Sequence, residues 1–153
     1  MTGAVIITHG NLADALCKTA ESITGHAEGV KVVPVDKSDN TDEIRAVLAT
    51  AVDDVDSGEG VIIFTDMFGG TPSNIALSLL NDGSVEVITG VNLPLLIKFF
   101  CNRSDSSLGE LADMLKEYGR ESIVLAGDIL KEKSTDDAAE THSESGIKSS
   151  SEN

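Results

Sequence analysis

Short unbroken runs of aliphatic residues alternate along the chain with longer stretches in which apolar positions recur every three or four residues. The runs read as buried strands over Ala4 to Thr8, Val30 to Val35, Gly60 to Thr65 and Ser84 to Thr89, with a last short one in ESIVLAG. Between them lie helical patterns. NLADALCKTAESIT sets Leu12, Leu16, Ala20 and Ile23 on one face. NTDEIRAVLATAVDDV opens on Thr41 as N-cap with acidic residues in its first turn. TPSNIALSLLN has Thr71 as N-cap and Pro72 at the first helical position. LPLLIKFFC follows a turn, and SLGELADMLKEYG ends at Gly119. Pro34 puts the second strand near a sheet edge or at a strand end, because proline cannot donate to a ladder.

Strand and helix alternating in this way predict an α/β fold, an open and mainly parallel four-stranded sheet with helices on both faces. Right-handed crossovers then align the C-terminal ends of the strands along one edge, where such sheets bind ligands. The pattern stops near Lys131. Residues 1–130 form the predicted domain, and residues 131–153 form a serine-rich acidic tail or linker, too poor in apolar residues to repay the entropy of ordering.

Composition narrows the function classes. The 153 residues lack tryptophan and carry few aromatics, so the core is built from Val, Ile, Leu and Ala. A formal charge of −15 argues against nucleic acid or an anionic membrane and favours a basic protein partner. Cys17 and Cys101 lie far apart in apolar contexts, without CxxC or Cys/His spacing, and read as buried reduced thiols. Neither a metal nor a cofactor is indicated. The N-terminus lacks a signal-peptide pattern, and the apolar run Val91 to Phe100 is too short to span a bilayer. A soluble, cytoplasmic protein is expected.

Three loops fall at predicted strand ends: THGN from Thr8, DMFGGTPSN from Asp66 and GVNLP from Gly90. Taken alone, His9 is a satisfied loop histidine and Asp66 a turn or capping residue. Their shared edge gives them another reading. Gly10 lets backbone approach a ligand, and the helix that follows offers N–H groups to an anion. A carboxylate on one imidazole nitrogen would fix the tautomer and leave the other nitrogen nucleophilic. A turn and a capped helix explain Thr71 and Pro72, whereas the doubled Gly69-Gly70 leaves amides able to cradle phosphate oxygens. The loop is not a Walker A motif, which disfavours ATP as direct donor. His26 and His142 lack such company and are assigned no function.

VIITHG, DMFGGTPSN and GVNLPLL, in this order and spacing, resemble the IIA component of the mannose-type sugar phosphotransferase system, over residues 1 to 127. GRESIVLAG is similar to the segment that ends the domain in that family. The resemblance implies that His9 accepts phosphate on Nε2 from the phosphocarrier HPr and passes it to a IIB component, with Asp66 holding Nδ1. It implies a phosphoryl contact from the Thr71 hydroxyl, which joins Gly10, Gly69 and Gly70 as the expected phosphoryl-binding residues, and a peripheral relation at most to the membrane IIC and IID components. It further implies a homodimer in which a short antiparallel C-terminal strand, Ile123 to Leu125, is exchanged into the partner's sheet. Many relatives continue into a IIB domain, whereas this chain ends in its polar segment, as a free-standing or a truncated IIA. Two alternatives stay open: a regulatory phosphoprotein of the same fold that signals carbon supply, and a flavodoxin-like domain binding a phosphorylated ligand without covalent chemistry.

Overall fold

A computed structural model of the chain describes residues 1–25, 28–81 and 83–129. The elements run β1 (Gly3–His9), α1 (Leu12–Thr24), β2 (Val30–Val35), α2 (Thr41–Val55), β3 (Val61–Thr65), α3 (Thr71–Leu77), β4 (Val85–Thr89), α4 (Leu93–Asn102) and α5 (Leu108–Glu121). All four strands are parallel, in the order β2-β1-β3-β4. The apolar runs of β1 and β3 therefore occupy the centre, where both faces of a strand are covered and every position can be aliphatic. Pro34 lies on the edge strand β2, beside Thr8 of β1, as its missing N–H requires.

Helices cover both faces. Ala4, Ile6, Ile62 and Phe64 point into a core closed by α1, α4 and α5, with Phe64 edge-on to Phe99. Val5, Ile7, Val61 and Ile63 point into a second core closed by α2 and α3.

Several local expectations are corrected. The buried positions of α1 are Ala13 and Ala20, with Leu16 and Cys17 packed beside them, while Leu12 and Ile23 are exposed. The helix is rotated so that small residues meet the sheet. Helix α2 is capped by Asn40, whose side chain accepts from the Asp42 and Glu43 amides, and Thr41 is already helical. Helix α3 begins at Thr71 after Gly70 as N-cap, and its regular part stops at Leu77, before the predicted end. Helix α5 continues past Gly119, a buried residue packed against Leu95 rather than a terminator. Cys101 is exposed, because Leu95, Leu96, Phe99 and Phe100 form the buried stripe of α4; Cys17 is half-buried and both thiols are free.

The described residues divide into two units, 1–122 and 123–129. In the second, Ile123 to Leu125 are exposed and carry no strand pairing among the described residues. The expected C-terminal strand is thus not seen among them, since a strand needs a hydrogen-bonding neighbour. His26, His142 and residues 131–153 lie outside the described residues.

Candidate functional site

From β1 the chain crosses to one side to make β2, and to the other side to make β3, so the strand order reverses between β1 and β3. His9 ends β1 and Asp66 follows β3 at that point. The register sets Ile7 beside Thr65, which brings the next residues of both strands together over the sheet edge. A histidine and an aspartate 57 positions apart in sequence are in this way made neighbours.

The contact is doubled. Asp66 Oδ2 lies 2.7 Å from His9 Nδ1 and also accepts from the His9 backbone amide at 3.0 Å. Asp66 Oδ1 accepts from the Met67 amide at 2.9 Å. Burial pushes the Asp66 carboxyl up, but hydrogen bonds from the His9 amide, the His9 ring and the Met67 amide outweigh it, together with the ring's charge. The net effect holds the carboxyl below the ordinary aspartate value. With Asp66 ionised, the Nδ1 proton faces Oδ2, so the uncharged form of the ring carries its lone pair on Nε2. The His9 side chain is 45% exposed and that of Asp66 only 14%. The carboxylate sits behind the ring while the ring faces solvent.

Gly70 closes the other side of the imidazole. A Cβ at this position would lie 2.9 Å from His9 Cε1 and 3.5 Å from Nε2, so only glycine fits against the ring as it stands. Gly69 has φ +84°, the left-handed turn conformation. The two glycines thus answer two separate needs, one conformational and one steric. Gly10, at φ +56°, turns the chain out of β1, and a Cβ there would meet no protein atom.

Amide use also departs from the sequence reading. The Gly69 N–H is taken by Ser73 Oγ at 2.9 Å, and the Ser73 hydroxyl donates to the Gly70 carbonyl at 3.1 Å. The Ala13 amide at the start of α1 is taken by buried Thr8 Oγ1 at 2.8 Å. Ser73 is fully buried and was missed as a site residue. The available signal is its place three residues after Gly70, from which a hydroxyl reaches back to the turn. Thr71 is exposed, and its hydroxyl makes no hydrogen bond among the described residues, which the corrected capping leaves free. The GVNLP loop braces the site: the Gly90 and Val91 amides both donate to the Thr65 carbonyl, immediately before Asp66.

Around His9 the surface is apolar as well as open. Phe68 is 73% exposed, Met67 56% and Leu12 42%. Among the described residues no cluster of His, Cys, Asp or Glu has the geometry of a metal site, and no helix is long and apolar enough to cross a membrane.

The motif resemblance implies Asp66 on the Nδ1 side of His9, and the structure brings these two residues together. The family model described as PTS system fructose IIA component, EIIA-man, matches residues 3–116. The chain belongs to this family. Over 126 residues it is 35% identical to the PTS system mannose-specific EIIAB component of Escherichia coli strain K12, covering 80% of this chain and 39% of that protein. This chain therefore spans about two fifths of that relative's length. It is 28% identical over 136 residues to the PTS system fructose-specific EIIA component of Bacillus subtilis, covering 88% and 93% of the two chains. The crystal structure of the PTS IIA protein associated with the fucose utilization operon of Streptococcus pneumoniae superposes with TM-score 0.75 at 30% identity, over 84% of this chain and 96% of that one. As an EIIA component, this chain carries the family's parallel sheet with His9 and Asp66 together at its strand ends.

Proposed function

We propose that this EIIA component carries a phosphoryl group on His9 Nε2, taken from phosphorylated HPr and handed to a IIB component in the course of sugar uptake. The observation that carries the reading is the 2.7 Å contact of Asp66 Oδ2 with His9 Nδ1. It protonates one nitrogen, leaves the other as nucleophile, and supplies a negative charge for the imidazolium that forms when Nε2 bonds to phosphorus. In that step the donor's bond to phosphorus breaks and its electron pair stays with the donor; transfer onward reverses the exchange. Thr71, whose hydroxyl is unengaged among the described residues, and Gly70 beside the ring are assigned to the phosphoryl oxygens. The Gly10 and Gly69 amides already donate to the Val35 carbonyl and Ser73 Oγ, so these two glycines shape the loop. The apolar Met67 and Phe68 beside an exposed histidine suit a protein partner rather than an enclosed small ligand.

Incubation with enzyme I, HPr and phosphoenolpyruvate, followed by intact mass, tests the proposal. One acid-labile phosphoryl group on the wild type and none on His9→Ala is the expected result. An unlabelled wild type, or label that survives His9→Ala, would refute it.

We also propose a homodimer formed by strand exchange. The edge strand β4 is half-buried along its length, and a groove of about 500 Å³ lies between it and α5, lined by Glu86 to Thr89, Ala112 and Lys116 among others. Ile123, Val124 and Leu125 are exposed apolar residues without a ladder partner among the described residues, and the same segment of a second copy would complete both.

A further inference from the structure

A second, polar groove lies between α2 and α3. Thr41 and Arg45 line it from one helix and Thr71, Asn74 and Ile75 from the other, around a space of about 270 Å³. Thr71 directly follows Gly70, the residue packed against the His9 ring, so the groove adjoins the loop assigned to the phosphoryl group. None of its lining residues is a carboxylate.

Arg45 is exposed and has no ion-pair partner among the described residues. Five other cations among the described residues are committed. Lys18 pairs with Asp14, Lys31 with Asp54 and Arg120 with Glu117. Lys98 lies over the Tyr118 ring, and Arg103 is buried against Phe99 and Phe100. Lys37 stands on the β2–α2 loop and Lys116 belongs to the groove along β4. In a chain of net charge −15, a guanidinium in a groove free of acidic residues is available to an anion from outside.

The chain's own field selects which anion. Diffuse negative charge repels small free anions and draws in a basic protein face, but it does not set the rotation at which that face docks. One contact of opposite sign at the margin does. We infer that the Arg45, Thr71 and Asn74 groove seats a carboxylate side chain of the protein that delivers phosphate to His9, and that Arg45 fixes the docking register. The inference rests on the proposed phosphoryl relay.

Initial-rate flux from HPr, kept phosphorylated by enzyme I and phosphoenolpyruvate, through small amounts of the wild type, Arg45→Lys, Arg45→Ala or Arg45→Glu onto excess IIB component as acceptor tests it. Half-saturating phospho-HPr should rise about three- to fivefold for Arg45→Ala, as for an exposed ion pair, more for Arg45→Glu and less for Arg45→Lys, with kcat unchanged. Equal half-saturation in all four proteins overturns the carboxylate seat. So does a fall in kcat at unchanged half-saturation, which would put the guanidinium on the transferring group instead. A wild type that takes no label on His9 overturns the relay itself, and this inference with it.

Discussion

Asp66 grips His9 twice through a single oxygen, Oδ2, which meets the backbone amide at 3.0 Å and Nδ1 of the ring at 2.7 Å. Ring and main chain of the histidine are thereby referred to one fixed charge at the end of the neighbouring strand. The arrangement sets the tautomer and the ring orientation together, so substitutions on either side should affect transfer more than folding.

Asp66→Asn should slow phosphoryl transfer to His9 by about 10²-fold, the scale of a misassigned proton in acid–base catalysis. Either amide orientation fails. With oxygen toward His9, the side-chain NH₂ confronts the Met67 N–H that Oδ1 now accepts; reversed, it confronts both His9 donors. Rapid-quench transfer from phospho-HPr measures the rate, and an unchanged rate would remove the tautomer-holding role.

The same carboxylate makes stability depend on acid. Its folded pKa lies below the ordinary 3.8, so the unfolded chain binds the proton first as pH falls. The contribution to stability is full above the ordinary value and is lost as pH falls through the lower folded pKa. Urea unfolding midpoints of wild type and Asp66→Asn should therefore differ by a constant amount well above the ordinary carboxylate range and draw together as pH falls through the lowered folded pKa. A gap that persists in acid would mean that the variant has lost packing rather than charge.

Gly70→Ala separates transfer from stability. The added methyl would stand 2.9 Å from His9 Cε1, and the half-exposed ring can swing away at little cost to the fold. Swinging away breaks the Nδ1 contact with Asp66. The variant should keep its melting temperature within a few degrees while losing transfer by about tenfold or more. Loss of the Asp66-bound tautomer should appear in the ¹⁵N shifts of Nδ1 and Nε2. Wild-type shifts and rate would show that the ring does not depend on Gly70.

Much of this site was legible because topology, not local detail, creates it. Continuous aliphatic runs such as Val61 to Phe64 announce strands covered on both faces, and strand alternation then brings His9 and Asp66 to one edge. Choices among adjacent residues with similar propensity were not legible. Asn40 and Thr41 are both competent caps, and only the extended backbone at Asn40 decides between them. Leu12 and Ile23 fit a helical period but lost the buried face to Ala13 and Ala20, because close approach of α1 to the sheet favours small side chains. Ser73 was harder to read, since its work is to hold Gly69 and Gly70, and its spacing of three residues after Gly70 is the one mark of that.

Strand exchange predicts a dimer by sedimentation velocity at micromolar concentration. Val124→Pro should yield a monomer, because proline removes a ladder donor from the exchanged segment, and Val124 belongs to none of the four strands of the described residues. A monomeric wild type, or a dimeric Val124→Pro, would reject exchange through this segment.

Gly119→Ala sets two effects of opposite sign against each other. Glycine inside α5 is poor for helix formation, and alanine should gain about 1 kcal/mol on that ground. The new methyl, however, would lie 2.8 Å from Leu95 Cδ1, and Leu95 is buried in the core with nowhere to retreat. Overpacking of this kind costs about 1–3 kcal/mol. Moving α5 away would also stretch the bond from Asn92 Nδ2 to the Gly119 carbonyl, 3.0 Å, which ties it to the cap of α4. Net destabilisation is expected, against the propensity. Leu95→Ala removes the obstacle at its own cavity cost of about 2–5 kcal/mol, and the added methyl then fills part of that cavity. Urea denaturation of both single variants and the double should show the double to be less destabilised than the sum. Simple additivity would mean that the helix pair adjusts elsewhere and that Gly119 is not held by Leu95.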